Sequence, residues 1–122
     1  MEKTRFDELA EIIKNDEEEF GHARSIMEEF RNKLQEYLGC PDNAIAFEYS
    51  YYKKEVYYFT FLIKFSEYKP TEFELGTNES RYLFYSENDI EYSIDDEDTI
   101  DDLKSAIFEY LKKSVRHLLK KT

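Results

Sequence analysis

The 122-residue chain carries 28 Asp and Glu against 17 Lys and Arg, a net charge of -11, together with 10 Phe and 11 Tyr. A disordered acidic segment would lack the aromatic residues, so the composition predicts one folded domain over residues 1–122 with an anionic surface. Such a surface disfavours direct contact with nucleic acid or anionic membranes and favours a basic protein as the partner.

Covalent and targeting features are few. Cys40 is the single cysteine, so an intrachain disulfide cannot form. No run approaches the ~20 apolar residues that a membrane span needs. The first twenty residues carry acids early and lack an apolar signal core. We therefore expect a cytoplasmic protein.

The first 39 residues predict two helices. Thr4, with Asp7 three positions on, is a weak capping box for the first, whose apolar residues recur at Phe6, Leu9, Ala10 and Ile13. Asn15 or Asp16 can begin the second, because Glu17, Glu18 and Glu19 would then face its positive end. Its apolar stripe is Phe20, Ala23, Met27, Phe30, Leu34 and Tyr37, and Gly39 followed by Pro41 predicts its end.

The segment from residue 43 to residue 68 alternates apolar and polar residues and predicts a hairpin. With a three-residue loop at residues 53–55, one strongly apolar face forms from Ile45, Phe47, Tyr49, Tyr51, Tyr57, Phe59, Phe61 and Ile63. The opposite face is then mixed and includes Tyr52, Val56, Tyr58 and Leu62.

Shorter strands are predicted at residues 71–75, 81–85 and 89–94, with a turn at residues 76–79. Ile90, Tyr92 and Ile94 share a face of the last strand. A final helix is predicted from about Thr99, with its inner stripe at Ile100, Leu103, Ile107, Tyr110, Leu111, Ser114, Val115 and Leu118. The expected fold is α+β: two N-terminal helices, an antiparallel meander of four or five strands, and a C-terminal helix packed on the sheet.

The densest acidic segment spans residues 87–102, where nine of sixteen positions are Asp or Glu. Asp98, Asp101 and Asp102 are explained by the start of the last helix. The other acids are not, and we predict a partner-binding surface that includes Glu87, Asp89, Glu91, Asp95, Asp96 and Glu97. Tyr85 and Tyr92 are its predicted aromatic anchors, because tyrosine combines large contact area with a polar tip.

Other candidate sites have ordinary structural explanations. Asp16 to Glu19 fit a charged first helical turn, and Lys112, Lys113, Arg116, His117, Lys120 and Lys121 fit the negative end of the last helix. His22 and His117 lack a second ligand at zinc spacing, and Cys40 lacks an activating base. The sequence contains neither a nucleophile elbow nor a glycine-rich phosphate loop, so we predict no catalytic residue, metal site or cofactor.

These observations favour a non-enzymatic acidic module that inhibits or neutralises a basic partner. An immunity protein, an antitoxin, or a phage-type nucleic-acid mimic acting on a nuclease or nucleic-acid-binding protein would fit. The alternative is a small dimeric chaperone or adaptor that binds its client through the apolar sheet face with Tyr52, Val56, Tyr58 and Leu62. A third reading, an enzyme or small-ligand domain, needs a pocket between the sheet and the last helix.

Overall fold

The structure is a computed structural model that describes residues 2–41, 43–64, 70–78 and 80–120, the side chains of residues 117–120 excepted. It confirms an α+β fold. Helix α1 (Arg5–Leu38) precedes strands β1 (Ile45–Lys53), β2 (Val56–Ile63), β3 (Thr71–Thr77), β4 (Tyr82–Tyr85) and β5 (Glu91–Ser93), and helix α2 (Glu97–Lys120) ends the chain. The strands form one antiparallel sheet in chain order.

The prediction of two N-terminal helices is wrong, because α1 is one continuous helix of 34 residues. Asn15 and Asp16 can cap a helix, yet nothing before them ends one: residues 5–20 contain neither proline nor glycine. The two apolar stripes are also in phase. Their residues recur every seven positions, so a single helix presents them on one face: Phe6, Ile13, Phe20, Met27 and Leu34.

Both ends of α1 follow the predicted chemistry. The Thr4 hydroxyl accepts a hydrogen bond from the Asp7 backbone N–H at 3.1 Å, and the Asp7 carboxylate accepts one from the Thr4 N–H at 3.1 Å. Gly39 ends the helix in the left-handed conformation, with φ of 66°. The capping box and the glycine stop are therefore confirmed.

The first hairpin differs from its prediction near the turn. The loop has two residues, Lys54 and Glu55, both with positive φ, and Lys53 pairs with Val56. A β-bulge between Tyr49 and Tyr51 then shifts the register by one residue. On the side of the bulge away from the turn, the predicted register is confirmed, because Tyr49 pairs with Phe59.

Between the bulge and the turn, the residues of β1 lie on the opposite sheet faces from those predicted. Tyr51 pairs with Tyr58 on one face of the sheet, and Tyr52 pairs with Tyr57 on the other. The predicted positions of Tyr51 and Tyr52 are therefore both wrong. One extra residue in the strand is sufficient to move each ring to the opposite side.

Both helices pack on the same face of the sheet. The core combines residues of α1, α2 and the alternate positions of all five strands, including Phe30, Phe59, Phe61, Leu75 and Leu103. Aromatic rings line its centre: Phe61 stacks on Phe73 with centroids 5.2 Å apart and meets Phe30 edge-on at 6.4 Å. In the described part of the chain the opposite sheet face is left without a helix.

Several smaller predictions need correction. Helix α2 begins at Glu97 rather than Thr99, and Ile90 is half exposed while Tyr92 and Ile94 are buried. Gly76 and Thr77 belong to β3, so the turn starts later than expected. Some predictions fall on positions outside the described residues: residues 65–68, Glu79, Lys121, and the side chains of His117, Leu118 and Lys120. No helix in the described ranges combines the length and apolarity needed to cross a membrane.

Candidate functional site

The first half of α1 extends away from the core and exposes an apolar stripe. Residues 5–18, which we call the arm, are exposed throughout and span about 21 Å at helical rise. Phe6 is 78% exposed, Leu9 59%, Ile12 55% and Ile13 59%. Contiguous large apolar side chains on a surface mark interaction sites. The arm is therefore a candidate binding surface.

The arm is also acidic. It contains six Asp or Glu against two bases, Arg5 and Lys14, for a net charge of -4. Asp16 and Glu17 lie one turn beyond Ile13 and share its face of the helix. Sequence analysis assigned them to a first helical turn, but they lie eleven and twelve residues inside α1. The helix dipole, which acts on the terminal turns, does not account for them.

An open cavity of about 350 Å³ lies where the arm leaves the sheet, and we call it the tyrosine cleft. Its walls are the rings of Phe20, Tyr49, Tyr52 and Tyr57, and α1 adds Ile13, Asp16 and Glu17. The Phe20 and Tyr49 rings meet edge-on with centroids 5.0 Å apart. The Tyr52 and Tyr57 rings are 4.6 Å apart. A second cavity of about 380 Å³ adjoins it and shares these last two residues.

The floor of the cleft is held by a hydrogen bond to α1. The Tyr57 hydroxyl donates to the Glu19 carboxylate at 3.2 Å. Burial, followed by this bond and the Glu19 charge, raises the pKa of Tyr57 to about 12. The hydrogen bond fixes the hairpin against the helix at the base of the arm.

Internal hydrogen bonds engage two of the six acids of the predicted surface, Asp95 and Asp96. Asp95 accepts two hydrogen bonds from Arg81 at 2.9 Å each, and the guanidinium also reaches Glu29 at 3.0 Å. These bonds hold the pKa of Asp95 below its ordinary value. Asp96 precedes α2, and its carboxylate accepts from the N–H groups of Asp98 and Thr99.

The expectation that capping explains neither Asp96 nor Glu97 is therefore wrong, because Asp96 is the capping residue and Glu97 is the first residue of the helix. Glu87, Asp89 and Glu91 remain exposed to solvent. No ion pair with them is found among the residues that the structure describes.

The predicted aromatic anchors are buried. Tyr85 is 3% exposed and Tyr92 4%, both on the helix-covered face of the sheet. The Tyr92 hydroxyl accepts a hydrogen bond from the Asn88 side chain at 2.7 Å. Burial raises the pKa of Tyr85 above its ordinary value. These rings stabilise the core and present no surface to a partner, so the exposure predicted for them is wrong.

The helix-free face of the sheet is the second candidate surface. Val56, Tyr58 and Leu62 are half-buried on it, whereas Tyr52 lies on the opposite face. Tyr58 stacks on Tyr51 with centroids 4.7 Å apart, and the Tyr51 hydroxyl donates to Glu74 at 3.0 Å. The rings of this face are therefore already engaged with each other and with the sheet.

The remaining polar candidates make local contacts. Cys40 is half-buried, with its thiol 3.8 Å from the Gln35 carbonyl oxygen. Near the end of α2, Lys112 pairs with Glu109 at 2.9 Å. Within the described ranges no group of three or more His, Cys, Asp or Glu is arranged to hold a metal ion.

Comparison with protein families, curated proteins and solved structures finds no match to this chain. Sequence analysis missed the arm and the tyrosine cleft. The seven-residue spacing from Phe6 to Leu34 was a signal for the arm, because it places the exposed Phe6 and Ile13 on the same face of α1 as the buried Met27 and Leu34.

Proposed function

We propose that the protein is a non-enzymatic acidic module that binds a basic protein and neutralises it, as an immunity protein, an antitoxin or a phage-type inhibitor of a nuclease would. One observation carries the proposal. The arm exposes four large apolar side chains and itself carries a net charge of -4, which suits a partner with an apolar stripe between basic residues.

The acids and the apolar side chains have separate tasks in this mechanism. The charge of -11 and the free carboxylates of Glu87, Asp89 and Glu91 steer a basic partner toward the protein, which raises the association rate. Phe6, Leu9 and Ile13 then provide the buried contact area that slows dissociation. These three side chains replace Tyr85 and Tyr92 as the anchors.

Affinity capture from a lysate of the source cell tests the proposal. The immobilised protein is washed at low and then high salt, and the proteins released are identified by mass spectrometry. Three variants are compared with the wild type: the arm variant F6S/L9S/I13S, the charge variant E87K/D89K/E91K, and I90S as an exposed apolar control far from the arm. All substituted side chains are exposed, so each variant should fold.

We expect a basic protein that salt releases and that the arm variant fails to retain. The charge variant should bind it with a slower association rate and a nearly unchanged dissociation rate, and I90S should behave as the wild type. Capture that resists salt, or that neither the arm variant nor the charge variant weakens, would contradict the proposal.

The helix-free sheet face favours a second candidate, a dimeric chaperone or adaptor. No helix covers that face in the described part of the chain, and Val56, Tyr58 and Leu62 contribute apolar surface to it. This candidate requires a dimer in light scattering and client binding that salt does not affect. A monomer whose binding is lost in the arm variant would count against it.

A further inference from the structure

The tyrosine cleft combines aromatic walls with two carboxylates. Tyr49 is 43% exposed and Tyr52 50%, so part of each side chain is in contact with solvent. Asp16 and Glu17 line the same cavity, and no Lys, Arg or His forms an ion pair with either of them within the described residues. A cavity of about 350 Å³ is large enough for a long side chain.

The protein itself shows which side chain suits this row of rings. Arg24 and Arg31 lie over the ring of Phe47, at 5.4 Å and 5.1 Å from its centroid. Tyr49 is the next residue of β1 on the same face, and among the described residues no basic side chain lies over it. Guanidinium groups therefore lie over Phe47, the ring next to the cleft, and none of the described residues places one over Tyr49.

A second copy of the chain docked arm against arm is a poor occupant, because it would bring together two arms that each carry a net charge of -4. Like charges brought together out of water cost free energy. A cation with a flat apolar face meets both requirements of the cleft, because it stacks on the rings and pairs with the carboxylates.

We propose that the tyrosine cleft binds an arginine side chain of the basic partner, with the guanidinium stacked against Tyr49 and Tyr52 and paired with Asp16 and Glu17. The inference rests on the proposed function for the identity of the partner. The apolar neighbours of that arginine lie along the arm, on Ile13, Leu9 and Phe6. Lysine fits less well, because its ammonium is strongly hydrated and lacks a planar face.

Three small probes of one length test the assignment: n-butylguanidinium, n-butylammonium and the neutral n-butylurea. Each is titrated into the ¹⁵N-labelled protein while backbone amide shifts are recorded. We expect millimolar binding of n-butylguanidinium, with shifts concentrated in residues 13–20 and 49–57 and at most weak shifts with the other two. Equal binding of n-butylurea or n-butylammonium, or shifts elsewhere, would overturn the assignment.

A charge-matched pair of variants locates the carboxylates involved. D16N/E17Q removes the acids of the cleft, and E8Q/E11Q removes the same charge from arm residues that do not line the cleft. The first should weaken n-butylguanidinium binding roughly fivefold or more, and the second should change it less than twofold. Equal effects of the two variants would attribute the binding to net charge and overturn the inference.

The two proposals fail in different ways. If D16N/E17Q retains the captured basic protein with wild-type affinity, the assignment of the cleft is wrong and the proposed function stands. If n-butylguanidinium binds as expected but no basic protein is captured, the cleft assignment stands and the proposed function is wrong.

Discussion

Gly76 packs closely against its neighbours on the helix-free sheet face, and its replacement by alanine should destabilise the fold. It pairs with Tyr58 across β2 and β3. A Cβ added at Gly76 would lie 2.7 Å from Cγ1 of Val56 and 2.8 Å from Cε1 of Tyr58. Both distances are shorter than carbon atoms tolerate, so the Val56 and Tyr58 side chains or the strand between them have to shift.

Two opposing terms set the size of the effect. Alanine restricts the unfolded chain more than glycine does and so favours folding by about 0.5–1 kcal/mol. Overpacking of this kind costs about 1–3 kcal/mol. We therefore expect Gly76→Ala to lower the free energy of unfolding by about 1 kcal/mol. Gly21→Ala is the matched control, since it has no atom within 4 Å of the added Cβ and should raise stability by about 0.5–1 kcal/mol.

Urea unfolding followed by circular dichroism at 222 nm gives both values, provided that the slope with denaturant is unchanged. A second background separates the clash from other causes. In V56A/Y58A both obstructing side chains are shortened, and there Gly76→Ala should become neutral or slightly stabilising. If it costs as much in that background as in the wild type, the steric explanation is refuted.

Three further predictions concern the cap, the core and the cleft. Asp96→Ala should cost about 1 kcal/mol in urea unfolding, whereas Asp96→Asn keeps the cap and should cost only a few tenths. Phe30→Ala should cost about 3–5 kcal/mol by the same assay, because Phe30 is fully buried against Phe61. Stability should also fall as pH rises from 10 to about 12, because folding raises the pKa of Tyr57 from 10.0 to about 12 and the protonated hydroxyl is lost over that range. Tyr57→Phe should show a shallower decline, and an unchanged one would contradict the role of this hydroxyl.

The parts of the fold that repeat a regular period were predictable from sequence. Alternation located the sheet strands, and the helical stripe located the buried face of α2 at Ile100, Leu103, Ile107 and Leu111. The residues next to the hairpin turn were not predictable in this way. The bulge adds one residue to β1 and reverses the alternation, and a prediction that assumes uninterrupted alternation places every residue beyond the bulge on the wrong face. The exchanged positions of Tyr51 and Tyr52 follow from that one bulge.

The error in the first helix has a different physical origin. Asn15 and Asp16 are good capping residues, but inside a helix each costs only about 0.5 kcal/mol relative to alanine. Local propensity therefore permits the helix to end near Asn15 but does not require it. The spacing from Phe6 to Leu34 favours one continuous helix, because an interruption would rotate the two apolar stripes out of alignment.

The continuity of α1 changes which acids are available for binding a partner. Near the start of α2, Asp95 is bound by Arg81 and Asp96 caps the helix, so a dense run of acids has largely structural tasks. In the arm, Asp16 and Glu17 lie far from the helix end and pair with no base among the described residues. Carboxylates that form no ion pair among the described residues and lie beside exposed apolar side chains are the ones whose removal should alter binding and leave folding unchanged.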